Sequence, residues 1–402
     1  MTTDPATVPP PRGWCPSLHE PMLSGDGWLS RVKPHAATIG AQQARILAAE
    51  AARHGHGAID LTQRGNLQPR GFSEAGARRF AAAMVAAGLA HPDPAVERGR
   101  NLLAPPLLGL DPGIAPGTAA LVEALAAAMA GWPPLPAKFG LVVDGGGALP
   151  LLGESADLHL RHAGDAVEIR LGGGDVLARC SPAGAVAAAT RLARHLATLV
   201  PARRMRQAVA ARGAAAILAD VGLQAWPNHA PRPPPPRSVG PLPGPVLGVA
   251  APFGQITAAQ LAALADLAAA HGDGTLRVTP WRALLLPGVE DAAAAAALGL
   301  IVAPADPRLR VAACTGAPGC ASAFVETRAA AAQAATAWAA AGRPGLLHLS
   351  GCAKGCAHPG AAPATLVGGP DGFAAIRDGR AGDRPDAASL TLEQALAVLQ
   401  RP

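Results

Sequence analysis

Two stretches of the chain read as copies of one unit, and a unit this small cannot bury its own sheet, so the repeat constrains the fold before any other feature. Residues 27–71 and 244–288 align without gaps at an offset of 217 positions. His54-Gly55-His56-Gly57 falls on His271-Gly272-Asp273-Gly274, and Ile39, Gln43, Leu47 and Ala48 fall on Ile256, Gln260, Leu264 and Ala265. Downstream, Thr62, Leu67 and Gly71 fall on Thr279, Leu284 and Gly288. Each copy gives the order apolar strand, helix of about twelve residues, Gly-x-Gly stop, second strand. The expectation is two β-α-β units packed as a pseudo-twofold pair about a central cleft.

The second strands of the copies differ. In the first, Arg64, Asn66, Gln68 and Arg70 recur at every second position, which in an extended chain makes one polar, cationic face. A merely solvated sheet face would alternate in the same way. The second copy is apolar there, with Ala283, Leu284, Leu285 and Leu286 flanked by Arg277 and Arg282. The first strand therefore reads as a binding element and the second as a packing element.

Four of the six cysteines, Cys314, Cys320, Cys352 and Cys356, form the pattern C-x5-C…C-x3-C. Two short loops separated by an alanine-rich helix, read as Ala321 to Ala341 and stopped by Gly342, can bring four thiolates to one iron–sulfur cubane. Gly316, Gly319, Gly351 and Gly355 allow tight turns that aim main-chain N–H groups at sulfur. Structural zinc favours closer C-x2-C pairs and stands as the second reading. Disulfides stand third, because Met1 to Arg12 lacks the apolar core of a secretory signal and a reducing cytoplasm is expected. Cys15 and Cys180 read as ordinary thiols.

The length of 402 residues accommodates two to four domains, and no window is long and apolar enough for a membrane helix. A net charge of +6 raises the question of nucleic acid, but no basic run, aromatic platform or helix-turn-helix accompanies it, so a polyanionic small molecule fits better. The lysines are Lys33, Lys138 and Lys354, and Lys138 lies in Leu135-Pro136-Ala137-Lys138-Phe139-Gly140, ahead of an apolar strand ending at Asp144. There its ammonium either snorkels to water or meets an anion. Helices are expected around 117–131 and 184–215, and a proline-dominated linker over 227–245. The glycine runs Gly145 to Gly147 and Gly172 to Gly174 have the wrong form for a nucleotide loop.

Repeat, linker, arginine row, Lys138 and cysteine pattern together resemble the sulfite and nitrite reductase superfamily, and within it the precorrin-3B synthase family. The narrower resemblance rests on Arg12-Gly13 through Cys15-Pro16, Pro21-Met22, Gly25-Asp26-Gly27, Ile59 to Gln68, Ser350 to Pro359 and Gly379 to Asp383, and it spans about residues 11–385. It implies an α+β fold with a pseudo-twofold repeat: a flexible N-terminus over 1–11, ferredoxin-like half-domains over 12–85 and 246–300, the linker over 227–245, and two α+β cluster-type domains over 86–226 and 301–402. Residues 86–170 contain no cysteine, so one [4Fe–4S] cluster is implied, on Cys314, Cys320, Cys352 and Cys356.

The implied reaction uses dioxygen and an external electron donor or reductase to hydroxylate precorrin-3A and close a lactone on it, in aerobic cobalamin biosynthesis. Arg64, Asn66, Gln68, Arg70, Arg100, Lys138, Arg282 and Lys354 are the candidate clamps for the substrate's carboxylates. The resemblance also brings a mononuclear non-haem iron, whose ligands are not located; His54, His56, His348 and His358 read as structural. The alternatives are a siroheme-dependent sulfite or nitrite reductase, in which Cys356 would bridge cluster and siroheme, and a non-catalytic [4Fe–4S] electron carrier, which has no need of a carboxylate-binding face.

Overall fold

The computed structural model describes residues 16–199, 204–227 and 236–400. The segment 1–11, the Arg12 to Cys15 stretch and residues 228–235 of the linker lie outside the described residues. Helices Ala41–His54 and Ala258–His271 start and stop at positions 217 apart. Each opens on a glutamine that takes the preceding strand's last N–H: Gln43 Oε1 from Gly40 at 3.0 Å, and Gln260 Oε1 from Thr257 at 2.8 Å. Each ends at a glycine, because a Cβ on Gly55 would come within 2.4 Å of the Arg70 carbonyl, and one on Gly272 within 2.4 Å of the Pro287 carbonyl. Their buried stripes, Ala44, Leu47, Ala48 and Ala51 against Leu261, Leu264, Ala265 and Ala268, lie in one shared core.

The repeats do more than pack. The short strand Thr38–Gly40 of the first copy pairs with Thr275–Val278 of the second, and Gln255–Thr257 of the second pairs with Ala58–Leu61 of the first. The registers match under the same offset: Ile39 faces Leu276, and Ile256 faces Ile59. Each copy is thus β-α-β-β, with its first strand donated to the other's sheet, and the expected simple β-α-β units are corrected to an exchanged pair. Local alternation could not reveal this, because both partners of each pairing look like ordinary edge strands.

Three further expectations are corrected. The strand carrying the polar row is short, Leu67–Pro69, and Arg64 falls in the turn before it, where Gly65 N–H donates to the Thr62 carbonyl at 3.1 Å. Arg64 therefore leaves the face that Gln68 and Arg70 share with Asp60. The long helix over 184–215 is broken into Pro182–Thr198, capped by Ser181, and Met205–Arg212, with Ala214–Asp220 following. The helix between the cysteine pairs starts late, at Thr327 instead of Ala321, and ends at Ala340.

Two larger sheets flank the exchanged pair. Between the repeats, strands 225–227, 176–180, 166–171, 158–163, 141–144 and 102–103 neighbour one another in that order, with helices Thr118–Met129 and Pro182–Thr198 covering one face. After the second repeat the order is 311–313, 347–350, 362–369, 372–379 and 387–390, packed on the Thr327–Ala340 and Leu392–Gln400 helices. Among the described residues no helix is long and apolar enough to cross a membrane.

Candidate functional site

The cysteine loops follow strands Val311–Ala313 and Leu347–Ser350, which run parallel, so both loops leave the same end of the sheet. Gly351 N–H donates to Cys314 Sγ at 3.1 Å, a main-chain hydrogen bond to sulfur across the two loops. Burial pushes the Cys352 thiol up, and the charges of Cys320 and Cys314 add to it; Cys356 is exposed as a residue, yet partial desolvation of its thiol, and then the charges of Cys314, Cys352 and Cys320, raise it too. Among the described residues no three His, Cys, Asp or Glu side chains close tightly enough to hold a single metal ion. Lys354, between the last two cysteines, donates to Ser322 Oγ at 3.3 Å.

An N-terminal hairpin, Met22–Ser24 with Gly27–Leu29, locks the first loop in place. The Gly319 carbonyl accepts from Ser24 Oγ at 2.6 Å and from Arg70 Nη2 at 2.5 Å, and a Cβ on Gly25 would come within 2.2 Å of the Pro318 carbonyl. Arg70 is 3% exposed and its other hydrogen bonds go to Asp26, Asp60 and Ser24 Oγ. Burial raises the Asp26 carboxyl, but hydrogen bonds from Arg70 and His56 outweigh it and leave the group below the usual carboxylate range. Asp60 also accepts from Gln255 of the second repeat at 2.9 Å and from Arg328 of the cysteine-side helix at 2.7 Å. One buried carboxylate thus joins both repeats to the cysteine region.

Beside these loops lies a cleft of about 880 Å³ to which four regions contribute. Gln63 and Arg64 come from the first repeat, Glu154 and Arg204 from the sheet between the repeats, Phe253, Trp281 and Arg282 from the second repeat, and Arg308 with Ala357 to Gly360 from the cysteine region. The Ala357 carbonyl, next to Cys356, accepts from Gln63 Nε2 at 3.0 Å and from Arg282 Nη2 at 3.5 Å. Trp281 Nε1 donates to Glu154 Oε1 at 2.8 Å across the opposite wall. Arg282 sits at φ +61, the left-handed conformation that its repeat mate Gly65 adopts at φ +63 without a Cβ. Burial, and then the nearby Arg328, push its guanidinium below the usual value. A cation so placed favours an anion in the cleft.

The residues singled out from sequence divide accordingly. Arg64 and Arg282 line the cleft, and Arg64 Nη2 donates to the Lys138 carbonyl at 3.1 Å. Asn66 and Arg100 line an adjoining crevice that shares Arg64 and Glu154 with the cleft. Lys138 precedes its strand, which begins at Leu141, so the expected lysine at a buried strand entrance is corrected to a half-exposed one. Gln68 Oε1 accepts from Arg31 at 2.9 Å, and Arg70 is structural in this arrangement. Trp281, Arg204 and Arg308 were missed. Only Trp281 carried a signal, as one of six tryptophans in the chain and adjacent to Arg282.

Comparison with known proteins follows the same geometry. The nitrite/sulfite reductase ferredoxin-like half domain matches residues 244–303, the second repeat. A precorrin-3B synthase from Sinorhizobium sp is 36% identical over an alignment of 422 residues that covers 96% of this chain and 87% of the relative. The chain belongs to the precorrin-3B synthase family. A ferredoxin–nitrite reductase from Synechococcus elongatus is a more distant relative of the synthase fold, 27% identical over 88% of this chain and 78% of its own length. The structure of the Mycobacterium tuberculosis NirA protein shares the fold, with a TM-score of 0.68 at 20% identity, over 85% of this chain and 70% of that one.

Proposed function

We propose that this protein catalyses the precorrin-3B synthase reaction in the cytoplasm: hydroxylation of precorrin-3A with dioxygen and closure of a lactone through an acetate side chain. Beyond the family, the observation that carries this reading is the cleft, which draws an arginine from each of four chain regions around one space beside the Cys356 loop. Its size lies near the upper end of the roughly 300–1,000 Å³ typical of ligand pockets, as a macrocycle requires. Arg64 and Arg282 are placed to pair with carboxylates, Arg204 and Arg308 are held in the wall by Asp157 and Asp306, and Trp281 and Phe253 offer apolar surface to the ring.

Cys314, Cys320, Cys352 and Cys356 are the proposed ligands of a [4Fe–4S] cluster. The donor set fits: the two loops leave the same end of the sheet and are bridged by the Gly351 N–H bond to Cys314 Sγ, and a cubane takes four thiolates, each on a different iron. When bound, the cluster would supply single electrons. Gly351 N–H hydrogen-bonds the Cys314 sulfur, and Gln63 and Arg282 hold the Ala357 carbonyl, so the loop at the cleft wall keeps its position. One oxygen atom enters the substrate and the other leaves as water, which requires two electrons and two protons from a donor outside the chain.

Protein purified without oxygen should carry four irons and four sulfides, and Cys352→Ser should carry none; stoichiometric zinc would overturn the cluster assignment. Precorrin-3A with reductant and dioxygen should gain one oxygen atom. Strong siroheme bands in protein made without corrin precursors, together with sulfite or nitrite reduction, would assign the chain to the reductases instead.

A further inference from the structure

The pseudo-twofold relation carries the cleft onto a second cavity, of about 350 Å³, which no cysteine lines. Lys33, Pro34 and Ala36 line it, and the repeat offset takes them to Ala250, Ala251 and Phe253, which line the cleft. Gly99, Arg100 and Leu102 line it too. Leu102 and Val311 open the first strands of the two flanking sheets, so these positions answer to Arg308, Leu309 and Val311, again of the cleft.

The two cavities differ in chemistry where they correspond in position. Where the cleft has Ala250 and Leu309, the second cavity has Lys33 and Arg100. Lys33 is 6% exposed and donates to the Glu97 and Arg98 carbonyls at 2.8 and 3.1 Å, which leaves one of an ammonium's three donors. Arg100 donates to Glu97 Oε2 at 2.5 Å and to the Lys33 carbonyl at 3.1 Å. Glu97 is fully buried and is the carboxylate of this group, so Lys33, Arg100 and Glu97 leave one positive charge in excess. His35 and Glu123 pair at the solvent-exposed mouth. The far wall, Leu102, Ala126 and Met129, is apolar. A net cation at one end and hydrocarbon at the other match one anionic group on an apolar body.

We propose that this cavity is a second binding site, separate from the cleft, for a small organic monoanion, a carboxylate carried on an aromatic or aliphatic body. The volume holds roughly a dozen non-hydrogen atoms at the packing of liquid water. The test uses the full chain and two probes of that size, 1-naphthoate and its neutral isostere 1-naphthamide, titrated by calorimetry. The acid should bind saturably, one per chain, and the amide at least tenfold more weakly. Lys33→Met should bring the acid to the amide's affinity. Ala126→Trp, which fills the cavity, should abolish binding of both while leaving iron content and tetrapyrrole binding unchanged. No binding of the acid, equal affinity for acid and amide, or naphthoate binding that survives both substitutions would overturn the site. Because tetrapyrrole binding is measured separately, failure here leaves the reading of the cleft standing, and failure of the cleft leaves this site standing.

Discussion

The sheet between the repeats and the cysteine-bearing sheet are built alike and closed differently. In the first, Leu102, Leu141 and Leu158 stand in register on strands that run parallel; in the second, Val311, Leu347 and Ala364 do the same, and in both an antiparallel strand follows. The loops after the first two strands lie at matching places. Between the repeats, carboxylates close them. Asp111 accepts from Gly113 and Ala148 N–H, and Asp144, 1% exposed, accepts from Gly146, Leu151 and Leu152 N–H. In the other sheet the corresponding loops present thiols, Cys314 and Cys320 on one and Cys352 and Cys356 on the other. A carboxylate satisfied by main-chain amides completes its loop unaided, whereas a ring of thiols calls for something from outside.

Three substitutions probe that contrast. Asp144→Ala leaves three N–H groups unpaired, that of Leu151 buried and those of Gly146 and Leu152 part-buried, and should cost about 3 kcal/mol in urea unfolding, given the strength of hydrogen bonds to charged groups. Iron content per folded chain should stay unchanged; unaltered stability would mean that the loops are closed by something other than the carboxylate.

A smaller effect is expected at His348, which occupies the strand position of Val142, is fully buried, and has neither ring nitrogen hydrogen-bonded. Burial, then the charges of His358 and Arg282, lower its pKa to about 4. With the folded value below the unfolded 6.5, the unfolded chain takes up the proton first, so stability falls as pH drops from 6.5 toward 4. His348→Val, which copies the other sheet, should remove that slope and gain about 1 to 2 kcal/mol relative to wild type by pH 5. Parallel pH profiles for the two proteins would refute the buried neutral imidazole.

The smallest change in stability belongs to Arg282→Gly, which copies Gly65. Losing the left-handed strain of a side-chain-bearing residue offsets the added freedom of glycine, so stability should move by less than about 1 kcal/mol. Tetrapyrrole affinity should nevertheless fall about tenfold or more, as expected for a lost charge-assisted contact. Unchanged affinity would remove Arg282 from the cleft's binding groups.

What could be read from sequence was local. The Gly-x-Gly stops act within a few residues, and with the matched apolar positions they placed both helices at the offset found in the fold. The cysteine pattern was legible because each pair sits on its own short loop. Arg70 was misread because its partners come from afar: Asp26 lies 44 residues away, and the Gly319 carbonyl 249. The carboxylate closure was invisible for the same reason, since Asp144 looked only like the end of a strand before a glycine run. Strand exchange left no trace in either copy, because a three-residue strand has the same pattern whichever sheet it joins.

That exchange dictates when the protein can exist at all. During synthesis, Thr38–Gly40 waits for a partner at Thr275–Val278, and Ala58–Leu61 waits for Gln255–Thr257 on its open edge. At 5–20 residues per second, those edges stand bare for roughly 10 to 50 seconds, a period in which a nascent chain depends on being shielded from its neighbours. A ribosome that stalls anywhere in that interval releases no working first half, only a peptide with two unfinished sheets.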